Sequence, residues 1–130
     1  MSEKKNSIVI FDDDHMSLGL LTEILSDSYT VHAEVDGTKC HEIVVQLKPD
    51  LILLDIIMPD MSGFDVIKQL KESEQTKDIP VIFVTNLTGP DEEDRGRSLG
   101  AVDYIKKPFD AHVVQERVSA QMNIINQNKR

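Results

Sequence analysis

The sequence predicts a single α/β domain in which a parallel sheet of five strands is covered by helices on both faces. The chain has 130 residues, which suits one domain, and 40% of them are apolar, which is enough for an ordinary core. Short, continuously apolar runs alternate with segments in which apolar residues recur at helical spacing. Continuous runs are typical of strands that are buried on both faces, as parallel strands are.

Each predicted strand is a short run rich in Val, Ile or Leu. The predicted strands are residues 7–11, 30–35, 51–54, 81–84 and 102–105. The runs at 30–35 and 102–105 are weaker than the other three.

A helical segment is predicted after each strand. The first three contain Leu18, Leu21 and Leu25; Cys40, Ile43, Val44 and Leu47; and Phe64, Ile67 and Leu70. The fourth, residues 91–99, is polar and ends at Gly100, a residue that suits a helix C-terminus. The fifth begins near Asp110, and its apolar stripe is Val114, Val118, Met122 and Ile125.

Strands that alternate with helices through short right-handed connections predict a doubly wound (βα)5 sheet. We expect the strand order 2-1-3-4-5, in which ligands bind at the carboxyl ends of strands 1 and 3. Residues 7–125 form the predicted domain. The polar segments 1–6 and 126–130 are predicted as tails, the second also as the possible start of a linker.

The charge and the composition exclude several classes of function. The chain has 23 Asp and Glu against 14 Lys and Arg, a formal net charge of −9, which argues against nucleic acid or an anionic membrane as a direct partner. The single cysteine, Cys40, excludes an intrachain disulfide. No apolar run approaches the length of a membrane span. The polar amino terminus lacks a signal-peptide pattern, so we expect a cytoplasmic location.

Reactive side chains follow four of the predicted strands. They are Asp12, Asp13 and Asp14 after the first strand, Asp55 after the third, Thr85 after the fourth and Lys107 after the fifth. Because the carboxyl ends of parallel strands share one edge, we expect these groups to converge. Carboxylates this close repel one another unless a proton or a cation joins them. Mg²⁺ is the cation that fits best, since it prefers oxygen ligands and retains several water molecules.

Asp55 is the candidate nucleophile, because a carboxylate can attack a phosphoryl group and form an aspartyl phosphate. The negative charge of the incoming group needs neutralisation, which Mg²⁺ and Lys107 can supply. The Thr85 hydroxyl can donate to a phosphoryl oxygen and otherwise turn elsewhere. Asp14 is expected to cap the first helix. The backbone at Lys107-Pro108 is expected to direct the lysine side chain inward. The sequence does not decide whether the peptide bond between them is cis or trans.

Four segments of the sequence resemble the motifs of a known family. They are Ile-Phe-Asp-Asp-Asp (10–14), Leu-Leu-Asp-Ile-Ile-Met-Pro-Asp-Met-Ser-Gly (53–63), Val-Thr (84–85) and Gly-Ala-Val-Asp-Tyr-Ile-Lys-Lys-Pro-Phe (100–109). In this order and spacing they resemble the receiver domain of two-component response regulators. The likeness covers about residues 7–122.

This resemblance implies a role for each residue at the strand ends. The implied phosphoacceptor is Asp55; the implied metal ligands are Asp12, Asp13, Asp55 and the carbonyl of Ile57; and the implied phosphate-binding and switch residues are Thr85, Lys107 and Tyr104. By the same resemblance, the ring of Tyr104 moves inward when Thr85 engages the phosphoryl group.

The resemblance also implies a flavodoxin-like fold of the chemotaxis-regulator type, Mg²⁺ as the cofactor, and a switch that does not turn over a substrate. A sensor histidine kinase or a phosphotransfer protein would transfer the phosphoryl group to Asp55. The surface formed by the fourth helix, the fifth strand and the fifth helix would then change. That surface is also a candidate homodimer contact. No direct contact of this domain with nucleic acid or a membrane is expected.

A few positions depart from the family pattern. Asn86 follows Thr85 where a small residue is common. Ile57 and Leu87 are apolar at positions that often help to orient the attacking water, so we expect slow loss of the phosphoryl group. Val102 replaces the first acid of a pair found in the transcription-factor branch, which argues against that branch.

Two alternatives remain open. A Mg²⁺-dependent phosphohydrolase with an aspartyl-phosphate intermediate would use similar groups. However, the segment 12–16 lacks the threonine of an Asp-x-Asp-x-Thr arrangement, and 130 residues leave no room for a cap domain. A flavodoxin-like nucleotide binder would need a loop rich in Gly, Ser or Thr after the first strand, where the aspartates would instead repel phosphate.

Overall fold

One parallel sheet organises the protein, and the computed structural model describes residues 5–87 and 89–129. The strands lie in the order β2-β1-β3-β4-β5. They are β1 Ser7–Phe11, β2 Thr30–Glu34, β3 Leu51–Leu54, β4 Val81–Thr85 and β5 Asp103–Lys106. All neighbouring strands pair in parallel, so the predicted doubly wound topology and its strand order are confirmed.

Helices flank the sheet within the described residues. They are α1 His15–Leu25, α2 Cys40–Leu47, α3 Gly63–Glu72, α4 Pro90–Leu99 and α5 Ala111–Asn128. The side chains of Asp14, Ser62 and Asp110 accept hydrogen bonds from N–H groups at the starts of α1, α3 and α5. Gly100 ends α4 with a φ of 117°, as predicted. None of the helices in this part of the chain is long and apolar enough to cross a membrane.

The core has two apolar layers, one on each face of the sheet. Successive residues of a strand point to opposite faces. Ile8 and Ile10 therefore pack with residues of α1 and α5, whereas Val9 and Phe11 pack with residues of α2 and α3. Because both faces are covered, every residue of β3 is buried. This two-sided burial explains why the strands appear in the sequence as continuous apolar runs.

The strand bounds differ slightly from the sequence-based prediction. β2 ends at Glu34, β4 includes Thr85, and β5 begins at Asp103 and ends at Lys106. A short 3₁₀ turn, Gly37–Lys39, precedes α2 and is not indicated by the apolar pattern. Hydrogen bonds to the neighbouring strand decide where a strand ends, and hydropathy does not report them.

The last helix is longer than predicted. α5 continues to Asn128, into the segment predicted as a polar tail. Asn126 and Asn6 form a reciprocal pair of amide hydrogen bonds, and Lys129 forms an ion pair with Asp50. These polar contacts hold the end of α5 against the start of β1 and β3. Residues 1–4 and 130 of the predicted tails lie outside the described residues.

Candidate functional site

The carboxyl ends of β1 and β3 bring two buried aspartates side by side. Asp12 directly follows β1 and Asp55 directly follows β3, and these two strands are neighbours in the sheet. The Asp55 N–H donates to the Phe11 carbonyl at 2.9 Å, so the strand pairing continues up to the two carboxylates. Asp12 is 1% exposed and Asp55 is 6% exposed, which is unusual for ionisable side chains.

Lys107 joins the two carboxylates. Its Nζ donates to Asp12 Oδ2 at 2.7 Å and to Asp55 Oδ2 at 3.0 Å. Its N–H donates to the Thr85 carbonyl at 3.0 Å, which holds the lysine backbone at the end of β4, and its peptide bond to Pro108 is cis. The two hydrogen bonds of Nζ show that the ammonium faces the aspartates, as predicted.

Burial and charge shift the protonation equilibria of this cluster. Burial is the largest effect on Asp12 and raises its pKa from 3.8 to about 6, although hydrogen bonds from Lys107 and the Asp14 N–H act in the opposite direction. Burial alone would lower the pKa of Lys107. Its hydrogen bonds to Asp12 and Asp55 outweigh that effect, so the pKa of Lys107 is raised. Lys107 therefore remains an ammonium at neutral pH.

Asp13 completes a group of three carboxylates. One oxygen each from Asp12, Asp13 and Asp55 lies within 4.8 Å of the others, and the Asp13 side chain is exposed. This all-oxygen donor set, open to solvent on one side, fits Mg²⁺, which prefers oxygen ligands and retains water molecules. Asp14 instead caps α1, accepting from the Met16 N–H and the Ser17 hydroxyl, as predicted.

A tight loop orients Asp55. The Ile57 N–H donates to Asp55 Oδ1 at 3.2 Å. The Gly63 N–H donates to the Ile56 carbonyl at 2.7 Å, which brings the start of α3 against the loop. A side chain at Gly63 would overlap the Asp55 carbonyl oxygen and lie 2.7 Å from Ile56 Cα. The close approach of α3 to the site therefore requires glycine at this position.

Thr85 lies at the end of β4 with its side chain fully buried. Its Oγ1 accepts a hydrogen bond from the Leu87 N–H at 3.1 Å. Among the hydrogen bonds of the described residues, its hydroxyl makes none to Asp12, Asp55 or the Lys107 ammonium. The hydroxyl is at the predicted edge of the sheet but is engaged with its own loop.

Tyr104 lies apart from the carboxylates, beneath α4. Its ring is 5% exposed and packs against Phe83, with 5.3 Å between ring centroids. Its hydroxyl donates to the Glu92 carbonyl at 2.8 Å. The sequence pattern does not indicate Phe83, Glu92 or Gly96 as neighbours of Tyr104. A glycine inside a helical segment is the one signal that could have indicated such close packing.

Comparison with known proteins identifies the family. The sequence matches the family described as "Response regulator receiver domain" over residues 8–119. It is 40% identical over 124 residues to a probable cyclic di-GMP phosphodiesterase of Vibrio cholerae, covering 95% of this chain and 27% of that protein. It is 41% identical over 114 residues to the DNA-binding dual master transcriptional regulator RpaA of Synechocystis sp., covering 87% of this chain and 47% of that protein. The chain thus spans less than half the length of these relatives.

Solved structures share the whole architecture. Chemotaxis protein CheY4 of Vibrio cholerae superposes with a TM-score of 0.84 and 25% identity, covering 89% of this chain and 98% of that chain. A response regulator from Desulfuromonas acetoxidans superposes with a TM-score of 0.83 and 26% identity, covering 92% and 98%. The predicted flavodoxin-like, chemotaxis-regulator-like fold is confirmed, and the family match favours a signalling switch over the phosphohydrolase and the nucleotide binder. The chain therefore belongs to the receiver domain family of two-component response regulators.

Proposed function

We propose that Asp55 accepts a phosphoryl group from the phosphohistidine of a sensor histidine kinase or of a phosphotransfer protein. The observation that carries this proposal is the contact of 3.0 Å between Asp55 Oδ2 and Lys107 Nζ, inside a cluster of carboxylates. A buried carboxylate beside an ammonium, at the carboxyl edge of a parallel sheet, is suited to attack on an anionic group.

In the transfer, one carboxylate oxygen of Asp55 forms a bond to phosphorus while the bond from phosphorus to the histidine nitrogen breaks. The electron pair of the broken bond returns to the imidazole ring. The Lys107 ammonium can exchange its contact with Asp12 for one with a phosphoryl oxygen. The proposed Mg²⁺ ligands are Asp12, Asp13, Asp55 and the carbonyl of Ile57. Bound Mg²⁺ would supply positive charge that offsets the charge of the phosphoryl oxygens.

Thr85 and Tyr104 are the proposed switch residues. The Thr85 hydroxyl now accepts a hydrogen bond from the Leu87 N–H. Because a hydroxyl can also donate and can rotate, it can turn to donate to a phosphoryl oxygen. Tyr104 already lies inward beneath α4, while the Thr85 hydroxyl still binds its own loop. Engagement of Thr85 with a phosphoryl group would hold the ring there and favour one of two arrangements of the α4–β5–α5 surface, which we define as the outer faces of these three elements.

The α4–β5–α5 surface is also a candidate homodimer contact. Asp103 on β5 pairs with Arg117 of α5 at 3.0 Å and lies 3.9 Å from Arg97 of α4. Both arginines are partly exposed, so these opposite charges can pair again across a twofold axis. Val113 of α5, 38% exposed, adds apolar area to the same face. Light scattering with and without phosphorylation tests the dimer, and an unchanged monomer mass would count against it.

The proposal covers residues 7–125 and assigns no output. The relatives named above carry different printed functions, a phosphodiesterase and a transcriptional regulator, so they do not point to one output. We propose that the domain acts in the cytoplasm by changing its surface rather than by turning over a substrate. We also propose that it contacts neither nucleic acid nor a membrane itself, since its net charge is −9.

Labelling by acetyl phosphate in the presence of Mg²⁺ tests the phosphoacceptor. We expect stoichiometric incorporation in the wild type and none in Asp55→Ala. Asp60→Ala, a matched change of an exposed aspartate in the following loop, should label like the wild type. Stoichiometric labelling of Asp55→Ala would overturn the proposal, and sustained turnover of a phosphomonoester by the wild type would favour the phosphohydrolase instead.

A further inference from the structure

A buried glycine, Gly96, lies within α4 where the helix packs over Tyr104. α4 spans Pro90–Leu99, and Gly96 is its buried residue. Glycine inside a helix is unfavourable relative to alanine because it loses more backbone entropy on folding. Gly19 of α1 is also inside a helix, but a methyl group added there would meet nothing within 4 Å. Gly96 therefore differs from Gly19 in having a packing reason to lack a side chain.

The packing reason at Gly96 is the Tyr104 ring. A methyl group at position 96 would overlap the Tyr104 hydroxyl and lie 2.9 Å from its Cε2 and 3.0 Å from Phe83 Cε2. The Tyr104 hydroxyl is held in place by the Glu92 carbonyl of the preceding helical turn, at 2.8 Å. The space in which Tyr104 lies is therefore bounded by backbone on α4 and by Phe83 on β4.

α4 is held where it lies by contacts on both sides. The Arg95 guanidinium stacks 4.3 Å from the centroid of the Phe64 ring on α3. Phe64 in turn meets Phe83 edge-on at 5.8 Å. On the other side, Arg97 donates to the Val102 carbonyl at 3.4 Å. Moving the helix outward would break the contacts of Arg95 and Arg97, whereas rotating the Tyr104 side chain breaks its hydrogen bond to Glu92 and its contact with Phe83 and exposes one ring.

We propose that Gly96 is the positioning residue that admits Tyr104 beneath α4, and that any side chain at position 96 drives the ring out to solvent. Gly96→Ala should then hold Tyr104 outward while leaving the carboxylate cluster in place and able to accept a phosphoryl group. The position of the ring depends on packing alone. Only its meaning for signalling rests on the proposed function.

The fluorescence of Tyr104 tests this directly. The chain has two tyrosines and no tryptophan, so in Tyr29→Phe all tyrosine fluorescence comes from Tyr104. We expect weak quenching by acrylamide in Tyr29→Phe, because the ring is 5% exposed. Quenching should rise several-fold when Gly96→Ala is added and stay unchanged when Gly19→Ala is added. Equal quenching in the two alanine variants would overturn the proposal.

A double-mutant comparison covers the case in which Gly96→Ala is too unstable to study. Tyr104→Leu removes both tyrosine atoms that the methyl group would crowd, the hydroxyl oxygen and Cε2. The fall in the urea midpoint caused by Gly96→Ala should therefore largely vanish in the Tyr104→Leu background. If the fall is the same in both backgrounds, the ring is not what Gly96 accommodates and the proposal fails.

Labelling by acetyl phosphate separates this proposal from the proposed function. Gly96→Ala should label to the same extent as the wild type, and loss of labelling in Gly96→Ala alone would overturn the separation of phosphorylation from ring position. Absence of labelling in the wild type would overturn the phosphoacceptor assignment instead, and the quenching result would still decide the role of Gly96.

Discussion

Replacing Asp12 by Asn is expected to make the protein more stable at neutral pH in the absence of Mg²⁺. Burial raises the pKa of Asp12 from 3.8 to about 6, so the folded state binds a proton more tightly than the unfolded state does. The free energy of unfolding therefore falls as the pH rises through these two values, and the loss is nearly complete at about pH 7. Asparagine has the same shape as aspartate and carries no charge to bury.

The size of the effect follows from the rise in the pKa. The rise in the pKa of Asp12 corresponds to a loss of at most about 3 kcal/mol in the free energy of unfolding. We expect Asp12→Asn to raise the free energy of unfolding by about 1–2 kcal/mol, because the cluster opens to solvent beside Asp13 and the Lys107 ammonium still has Asp55 as its partner. Mg²⁺ should stabilise the wild type by mass action and stabilise Asp12→Asn less, since one of the proposed ligands loses its negative charge.

Urea unfolding with EDTA at about pH 7.5 and again near pH 4 provides the assay. The stabilisation by Asp12→Asn should be present at the higher pH and shrink towards zero at the lower. Asp14→Asn is the matched control. Asp14 is an exposed helix cap whose hydrogen bonds lower its pKa, and asparagine also caps well, so any change in stability should be small and of the opposite sign. An Asp12→Asn variant less stable than the wild type near pH 7.5 would refute the argument.

Three further predictions follow from local geometry. Gly63→Ala should lower the free energy of unfolding by about 1–3 kcal/mol, because its methyl group meets backbone atoms that cannot rotate away. Gly19→Ala, where the added methyl group meets open space, should raise it by up to about 1 kcal/mol. Urea unfolding measures both, and changes in the same direction would contradict this. Since Ile57 and Leu87 are apolar, release of phosphate from the labelled protein should be slow, and a half-life of seconds in Mg²⁺ buffer would count against that. Met122→Ala should lower the free energy of unfolding by about 2–5 kcal/mol in thermal or urea unfolding, because this side chain of α5 is buried in the core. A loss below about 1 kcal/mol would show that the site repacks.

The fold and the location of the site could be predicted because both depend on local patterns. The continuous apolar character of β1 and β3 requires burial on both faces, which leaves a doubly wound parallel sheet as the compatible topology. Once that topology is accepted, Asp12 and Asp55 must meet, since they end neighbouring strands at the same edge. The convergence of Lys107 on them follows from the same reasoning.

The bounds of elements were less predictable, because contacts between distant segments decide them. Thr85 belongs to β4 through its pairing with Lys106 of β5. The end of α5 lies at Asn128 rather than near Ile125, because its last turn is joined by Asn126 to the other end of the chain. A polar segment has no apolar period from which a helix could be recognised.

The sequence was sufficient for the fold class, the edge of the sheet that carries the site and the chemical groups gathered there, because periodicity and the order of strands are properties of the chain itself. Tertiary structure alone decided that Lys107 bridges Asp12 and Asp55, that burial raises the pKa of Asp12, and that Gly96 makes room for Tyr104. Each of these depends on distances between atoms and on exclusion of water, which arise only when separate elements pack together.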